Sequence, residues 1–392
     1  MKQIKQIAED SRVLRALSSL EEQQADLIDL IIAIQQIPSP TLDERRRANF
    51  VENYFSDLGL AQVQQDDIYN VYACLRGTDG IHATPLILTA HSDTVFPIDT
   101  DLTTKIEGNY LYGPGIGDNA TGVAGIITLA KHLLMQNLKP EANIWFVANV
   151  AEEGLGDLRG MRAVVERFGS EARYIVVEGG SFGQIMHQAI GSKRYRITVE
   201  TPGGHSWGNF GQPSAIHELG QLICEISNLR IPRKPKTTFN VGVIEGGTSI
   251  NSIASSASLL LDLRSDQKST LDQLVSQVNT IVAFRRNLTK QRQEKVTIHM
   301  ELVGSRPVGN IPKIDPLVRL AEDALKQVGW RKISNIAGST DANVPLSMKI
   351  PTVCIGITTS KNAHRIDEYI ELTHLTAGMK QLLLLTLAAA DY

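Results

Sequence analysis

The sequence predicts an α/β protein: a mostly parallel sheet domain interrupted by an inserted α+β domain of ferredoxin-like order. Three observations predict it. Between Asp66 and Val150, strand-like runs (NVYACLRG, PLILTA, NIWFVANV) alternate with a helical stretch near Val123–Gln136, the rhythm of βαβ units. At Ser192–Glu200 (SKRYRITVE) the pattern changes to polar–apolar alternation, as in a half-exposed antiparallel strand. After Pro307 the helix–strand alternation returns. The expected division is 1–191 and 305–392 for the α/β domain, with 192–304 inserted.

Element by element, Glu21–Gln36 has helical spacing, with Leu27, Leu30, Ile31 and Ile34 on one face. Three apolar runs that read as buried strands end in chemically active residues: Pro85–Ala90 in His91-Ser-Asp93, Asn143–Ala151 in Glu152-Glu153, and Tyr174–Val177 in Glu178. In the insertion, a strand at 192–200 precedes a helix near Ser214–Asn228 and strands near Thr238–Glu245 and Ser256–Arg264. A helix at Ser269–Phe284 and a strand at Lys295–Val303 complete the β-α-β-β-α-β order. The basic run Arg285–Lys295 is expected to be a solvated helix end. Pro351–Thr358 (PTVCIGIT) is a further buried strand, joined by a short loop to His364.

Composition narrows the partners. With 21% charged residues and a net charge of −3, nothing favours nucleic acid or an anionic membrane surface. Cys74, Cys224 and Cys354 are far apart, which argues against a disulfide framework or a cysteine zinc knuckle. The start (MKQIKQIAED) lacks an apolar export core, and the apolar stretch near Leu382–Ala390 is too short to span a bilayer. The expectation is a cytoplasmic protein with no membrane partner.

Five residues with metal-ligand chemistry stand at strand ends or in adjoining loops: His91, Asp118, Glu153, Glu178 and His364. In open α/β sheets such ends converge on one ligand site, and together these five could hold two metal ions. Each alone has a plainer reading. His91 and Asp93 would suit a surface pair, although the same spacing lets Asp93 orient a liganding His91. Glu152-Glu153 would suit a solvated turn, or a pair in which one carboxylate binds metal and the other moves protons. Asp118 sits in GPGIGDNATG (113–122), where a carboxylate's two oxygens can bridge two cations. The same stretch formally matches the dinucleotide fingerprint G-x-G-x-x-A. Against that reading, the preceding NYLY is a poor buried strand, and an aspartate in the turn would repel pyrophosphate. His205 lies on a glycine turn, TPGGHSWG (201–208), in the insertion.

These pieces resemble the dinuclear-zinc peptidase and deacylase family that includes peptidase T, succinyl-diaminopimelate desuccinylase, acetylornithine deacetylase, aminoacylase and bacterial glutamate carboxypeptidases. The matching segments are HSDTVFP (91–97), GPGIGDNATG (113–122), AEEGLG (151–156), VVEGG (176–180) and GGHSWG (203–208). GGTSINSIASSASLLLDLRS (246–265), STDANVP (339–345) and NAHRIDE (362–368) follow in the family's order. The resemblance implies a zinc-peptidase catalytic domain and an inserted lid and dimerisation domain, with two Zn2+ per subunit, Co2+ or Mn2+ being able to substitute. Asp118 would bridge the ions, His91 and Glu178 completing one site and Glu153 and His364 the other. Asp93 would orient His91, and Glu152 would be the general base. His205 would stabilise the oxyanion, from the partner subunit in dimeric members. Asn251 and Arg264 would grip the substrate, Arg264 through the planar fork that suits a carboxylate.

The expected activity is hydrolysis of an amide bond in small peptides, by a di- or tripeptidase or exopeptidase acting as a homodimer. The alternative is an N-acyl amino acid deacylase on the same metal core, and a remoter one is a catalytically silent, metal-stabilised binding protein. Two departures from the family pattern bear on this. Asp118 is followed by Asn-Ala-Thr-Gly where many members carry Asp-Lys or Asp-Asp-Lys. Position 178 is glutamate where many amidohydrolase members have aspartate, which tilts the expectation to a peptidase.

Overall fold

The computed structural model describes residues 4–392. The chain divides into two compact units: one runs to Ala189 and resumes at Gly309, and the other is Ile190–Val308.

The first unit is built on a nine-stranded sheet. At its centre Ile144–Asn149, Leu86–His91, Arg173–Glu178 and Thr352–Gly356 lie side by side and parallel. Leu86–His91 and Ile144–Asn149 are buried along their whole length, which is why they read as unbroken apolar runs. Their side chains still alternate between two cores. Leu86, Leu88, Ile144 and Phe146 face one, while Ile87, Trp145 and Val147 face the other. Parallel pairing does not extend across the sheet. Val71–Leu75 and Ala61–Gln65 add antiparallel strands at one side, and Gln184–Ala189 runs antiparallel to Thr352–Gly356 at the other.

The helix predicted over Glu21–Gln36 is Gln24–Gln35, with Leu27, Leu30, Ile31 and Ile34 buried as expected, and it follows at Gln23 a separate helix, Ser11–Glu22, that the periodicity did not predict. A small antiparallel sheet of Thr359–Lys361, Tyr369–Glu371, Tyr110–Tyr112 and Lys105–Glu107 matters for the site. Pairing of Tyr369 with Tyr112 sets the loop carrying His364 and Glu368 beside the glycine loop that starts at Gly113.

The second unit is an antiparallel sheet in the order Thr237–Gly246, Ser256–Ser265, Gly191–Glu200, Thr297–Arg306. Helices Ala215–Ser227 and Lys268–Gln291 cover one face, burying Ile197, Val199, Leu259, Leu261 and Leu263. This is the ferredoxin-like order. The long helix does not end at Phe284, and its basic continuation is not simply solvated. Val278, Val282, Arg285 and Thr289 form one buried stripe. The Arg285 guanidinium donates to Glu218 at 2.9 Å and approaches Glu225 at 3.5 Å. Charge alone misjudged Arg285 because its partners come from the neighbouring helix. Among the described residues, no helix is long and apolar enough to cross a membrane.

Candidate metal centre

Three of the parallel strands deliver their carboxyl ends to one place. His91 is the last residue of its strand and stands opposite Asn149 in register, so Glu152 and Glu153 follow immediately beside it. Glu178 closes the strand on the other side. Asp118 arrives from the glycine loop. Asp118 (φ −122°, ψ 83°) and Asn119 (φ −138°, ψ 38°) leave helical geometry, and the peptide between them is cis. Gly115 is left-handed at φ 71°, a conformation glycine adopts without penalty. At Gly117 a Cβ would lie 2.7 Å from that of Ser360, so the loop packs too closely for a side chain. His364 has φ 67°, uncommon for a residue with a side chain and the kind of local strain found at functional sites.

The geometry centres on the two oxygens of Asp118. Its Oδ1 lies 3.0 Å from His91 Nε2, and its Oδ2 lies 3.1 Å from His364 Nε2. His364 Nε2 is also 2.9 Å from Glu153 Oε1, and His91 Nε2 is 3.6 Å from Glu178 Oε2. The five candidates thus form a chain, Glu178–His91–Asp118–His364–Glu153. Behind it, His91 Nδ1 faces Asp93 Oδ1 at 3.4 Å and the Asp93 carbonyl at 3.2 Å. The Asp93 carboxylate accepts the N–H groups of Glu152 and Glu153, both at 2.9 Å, and the Thr41 hydroxyl at 2.9 Å. One buried aspartate therefore orients a histidine and fixes the backbone of the Glu-Glu pair.

The histidines and carboxylates of the cluster shift one another's proton affinities. Burial disfavours a charged His91, but Asp118, Asp93 and Glu178 outweigh it and raise the imidazole well above its usual range. His364 is pushed up to about 10 by its bonds to Asp118 and Glu153. Burial would raise Asp118, yet the two histidines more than reverse this and hold it low. Burial, aided by Asp118 and Glu152, pushes Glu153 up to about 7, and burial raises Glu178. Positive charge is wanted where the donors converge. A set of imidazole nitrogens and carboxylate oxygens, with one carboxylate addressing a different histidine from each oxygen, fits two borderline divalent ions. His91, Asp118 and Glu153 offer ligand atoms that all lie within 4.8 Å of one another.

Several residues at the site make contacts that the sequence does not assign to them, Asp341 among them, although the resemblance places its loop, Gly338–Asp341, at the substrate cleft. Glu368 accepts N–H groups from Gly115, Gly117 and Asp118, each at 2.8 Å, and so clamps the glycine loop. Burial and the Asp118 charge push its carboxyl up to about 8. A glycine loop full of unpaired N–H groups signals the need for such an acceptor, but not its identity. The buried Arg47 donates to the carbonyls of Ser92, Gln35 and Ile37. Glu44 accepts from Leu42 and Ala151. Asp341 is fully buried and accepts from Asn149 Nδ2 at 2.7 Å.

The remaining predicted residues lie in the second unit. His205 belongs to the short strand Gly204–His205, paired with Ser252–Ile253. Its Nδ1 accepts N–H groups from Trp207 (3.2 Å) and Gly208 (3.3 Å), which puts the ring proton of the neutral form on Nε2. Asn251 sits beside it, its carbonyl accepting the Ser206 N–H at 3.0 Å. Arg264 lies on another strand, where its Nε donates at 2.6 Å to Asp262, a carboxylate shared with Arg194.

Comparison with known proteins agrees with this architecture. Acetylornithine deacetylase of Buchnera aphidicola is 24% identical over 373 residues, covering 88% of this chain and 93% of that protein. Succinyl-diaminopimelate desuccinylase of Corynebacterium glutamicum is 24% identical over 370 residues, covering 91% and 96%. The crystal structure of a tripeptidase from Staphylococcus aureus superposes with a TM-score of 0.78 at 20% identity, over 94% of this chain and 99% of that one. A match to the description "Peptidase family M20/M25/M40" over residues 87–388 spans every site residue from His91 to His364. The chain therefore belongs to peptidase family M20/M25/M40 and is a hydrolase of that metallopeptidase and deacylase family.

Proposed function

We propose that the protein is a metal-dependent exopeptidase acting on small peptides such as di- and tripeptides. The observation that carries the reading is Asp118, whose two oxygens each face a different histidine. His91, Asp118 and Glu178 would hold one divalent ion, and Asp118, Glu153 and His364 the other, zinc being the proposed metal. Such ions, when bound, polarise the scissile carbonyl and lower the pKa of water from about 16 towards 7.

The chain's own residues supply the rest. Glu152, with its N–H tied to Asp93, takes the proton of the attacking water on its carboxylate and passes it to the departing amine nitrogen. Asp93 keeps His91 and the Glu-Glu backbone in place throughout. His205 donates from Nε2 to the developing oxyanion, as its engaged Nδ1 favours. Arg264, steadied through Nε by Asp262, binds a substrate carboxylate with its remaining donors, and Asn251 holds the peptide backbone. The inserted unit serves as the lid and as the contact surface of a homodimer, and the enzyme works in the cytoplasm.

Glutamate at 178 and the likeness to the tripeptidase support a peptide substrate. The named sequence relatives favour a second reading, hydrolysis of N-acyl amino acids. A panel decides between them: free di- and tripeptides against N-acetyl and N-succinyl amino acids, with zinc or cobalt added and a chelator control. Chelator-sensitive cleavage of free peptides alone is the expected result. Cleavage of acyl amino acids alone would overturn the peptide assignment and keep the centre. Two bound ions without turnover on any substrate would favour a silent binding protein.

A further inference from the structure

Asp341 is a fully buried acid beside the centre to which neither the mechanism above nor the clamp on the glycine loop gives a role. It lies on the segment just before helix Asn343–Ser347 and is 0% exposed, as is Asn149. Their side chains meet through a single bond, Asn149 Nδ2 to Asp341 Oδ2, at 2.7 Å. The two remaining oxygens of the same pair, Asp341 Oδ1 and Asn149 Oδ1, are both buried and both without a donor. Two acceptors of one bonded pair, both deprived of donors in a dry site, are costly, and the cost is removed if one of them carries a hydrogen to the other.

We propose that Asp341 is held as the neutral acid and closes a two-bond ring with Asn149. In this ring Asn149 Nδ2 donates to Asp341 Oδ2, and the Asp341 Oδ1–H donates to Asn149 Oδ1. One proton satisfies both orphaned atoms. Burial pushes the Asp341 carboxyl well above the ordinary range, and the neighbouring charges of Glu152 and Glu178 act in the same direction, outweighing His91. The nearby Cys354 thiol is itself raised well above its usual range by burial and adds no counter-charge.

The ring makes Asp341 a positioning residue. The Asn149 carbonyl accepts both the N–H (2.7 Å) and the hydroxyl (3.1 Å) of Ser92, the residue between His91 and Asp93. Asp341 is therefore linked through Asn149 to the segment that carries a candidate ligand and its orienting partner. Neutrality also suits the charge of the centre, an argument that rests on the two-ion reading above. Asp118, Glu152, Glu153 and Glu178 supply four negative charges against two divalent cations, and the buried Arg47 acts on Asp93. An ionised Asp341 would be a surplus buried charge.

The test compares wild type, Asp341→Asn and Asp341→Ala, all metal-free, by thermal unfolding from about pH 5 to pH 8. Asparagine places an N–H donor where the acid proton stands, so it imitates the neutral ring. Keeping a proton that the unfolded chain has released costs the wild type more at each step of rising pH. Asp341→Asn should therefore gain on the wild type steadily across the range. Asp341→Ala, which strands the Asn149 amide, should melt several degrees below Asp341→Asn throughout. A wild type minus Asp341→Asn infrared difference spectrum at pH 7 should show the carbonyl band of a protonated carboxyl. A pH-independent gap between wild type and Asp341→Asn, with only a carboxylate band, would overturn the proposal. So would equal stability of the alanine and asparagine variants. Metal content is measured separately: fewer than two ions in wild type would sink the two-ion reading, while the pH slope still decides the ring.

Discussion

Asp118 hangs from Glu368: the Asp118 main-chain N–H donates at 2.8 Å to Glu368 Oε1, which also takes the N–H of Gly117. With Gly115 on Oε2, one buried carboxylate sets the peptide from which the central aspartate projects. Glutamine keeps the size of this side chain but must turn an NH2 group towards at least one N–H donor. Glu368→Gln is expected to weaken metal affinity about 10–100-fold, as other partners just outside a coordination shell do. Competition with a chromophoric chelator measures it, with circular dichroism to show that the fold persists. Unchanged affinity would mean the loop keeps its shape without the clamp.

Glu152 and Glu153 share a backbone anchor on Asp93 but differ in what their side chains face. Glu153 Oε1 lies 2.9 Å from His364, inside the candidate centre. Glu152→Gln should keep both ions and lower kcat about 10²–10⁴-fold, the usual share of a general base. Glu153→Gln should instead lose metal, most visibly as a fall in ions per chain by elemental analysis. A Glu152→Gln enzyme with near-normal kcat would remove Glu152 from the proton transfer.

The candidate centre was legible where strand direction does the work. His91, Glu152-Glu153 and Glu178 each end an apolar run, and parallel strands bring such ends together whatever their distance in sequence. Glu368 was not legible, since its partners are main-chain N–H groups up to 253 residues away and carry no residue code. The Asp341–Asn149 contact was hidden for a related reason: Asn149 lies in an apolar run and Asp341 in a short polar loop, and nothing local tells a buried acid from an exposed one. In the fold, the central parallel strands were readable, whereas the antiparallel Gln184–Ala189 was not. Its burial pattern does not record the direction of its neighbour.

Metal binding should release protons and tighten as pH rises. In the metal-free protein the bonds to Asp118 and Glu153 push His364 up to about 10, and Asp118, Asp93 and Glu178 hold His91 well above its usual range, which favours the protonated form of both at pH 7. Each must lose its proton before its ring nitrogen can bind an ion. The sign follows: affinity falls as pH falls, and the gain with rising pH continues towards the folded pKa of His364. Calorimetry in buffers of different ionisation heat should report the uptake by buffer of more than about two protons for the two ions at pH 7, two from the imidazoles and a further share from Glu153, whose carboxyl is pushed up to about 7. No proton release would mean that the imidazoles are neutral before metal arrives or are not ligands.

His132 couples stability to acid in a different part of the fold. Both its ring nitrogens are buried without a hydrogen-bond partner, and burial, helped by Lys131, lowers its pKa to about 4. The unfolded chain takes up this proton near pH 6.5, whereas the folded chain resists until about pH 4. This group therefore leaves stability untouched well above pH 6.5, and stability is lost as pH falls from there towards 4, by at most about 3 kcal/mol. His132→Leu keeps an apolar side chain in that space and has nothing to protonate. Its melting temperature should track the wild type above about pH 7 and exceed it increasingly below about pH 6, with both proteins kept metal-free so that ligand loss cancels. Parallel curves down to pH 4 would show that the imidazole finds a proton partner in the fold.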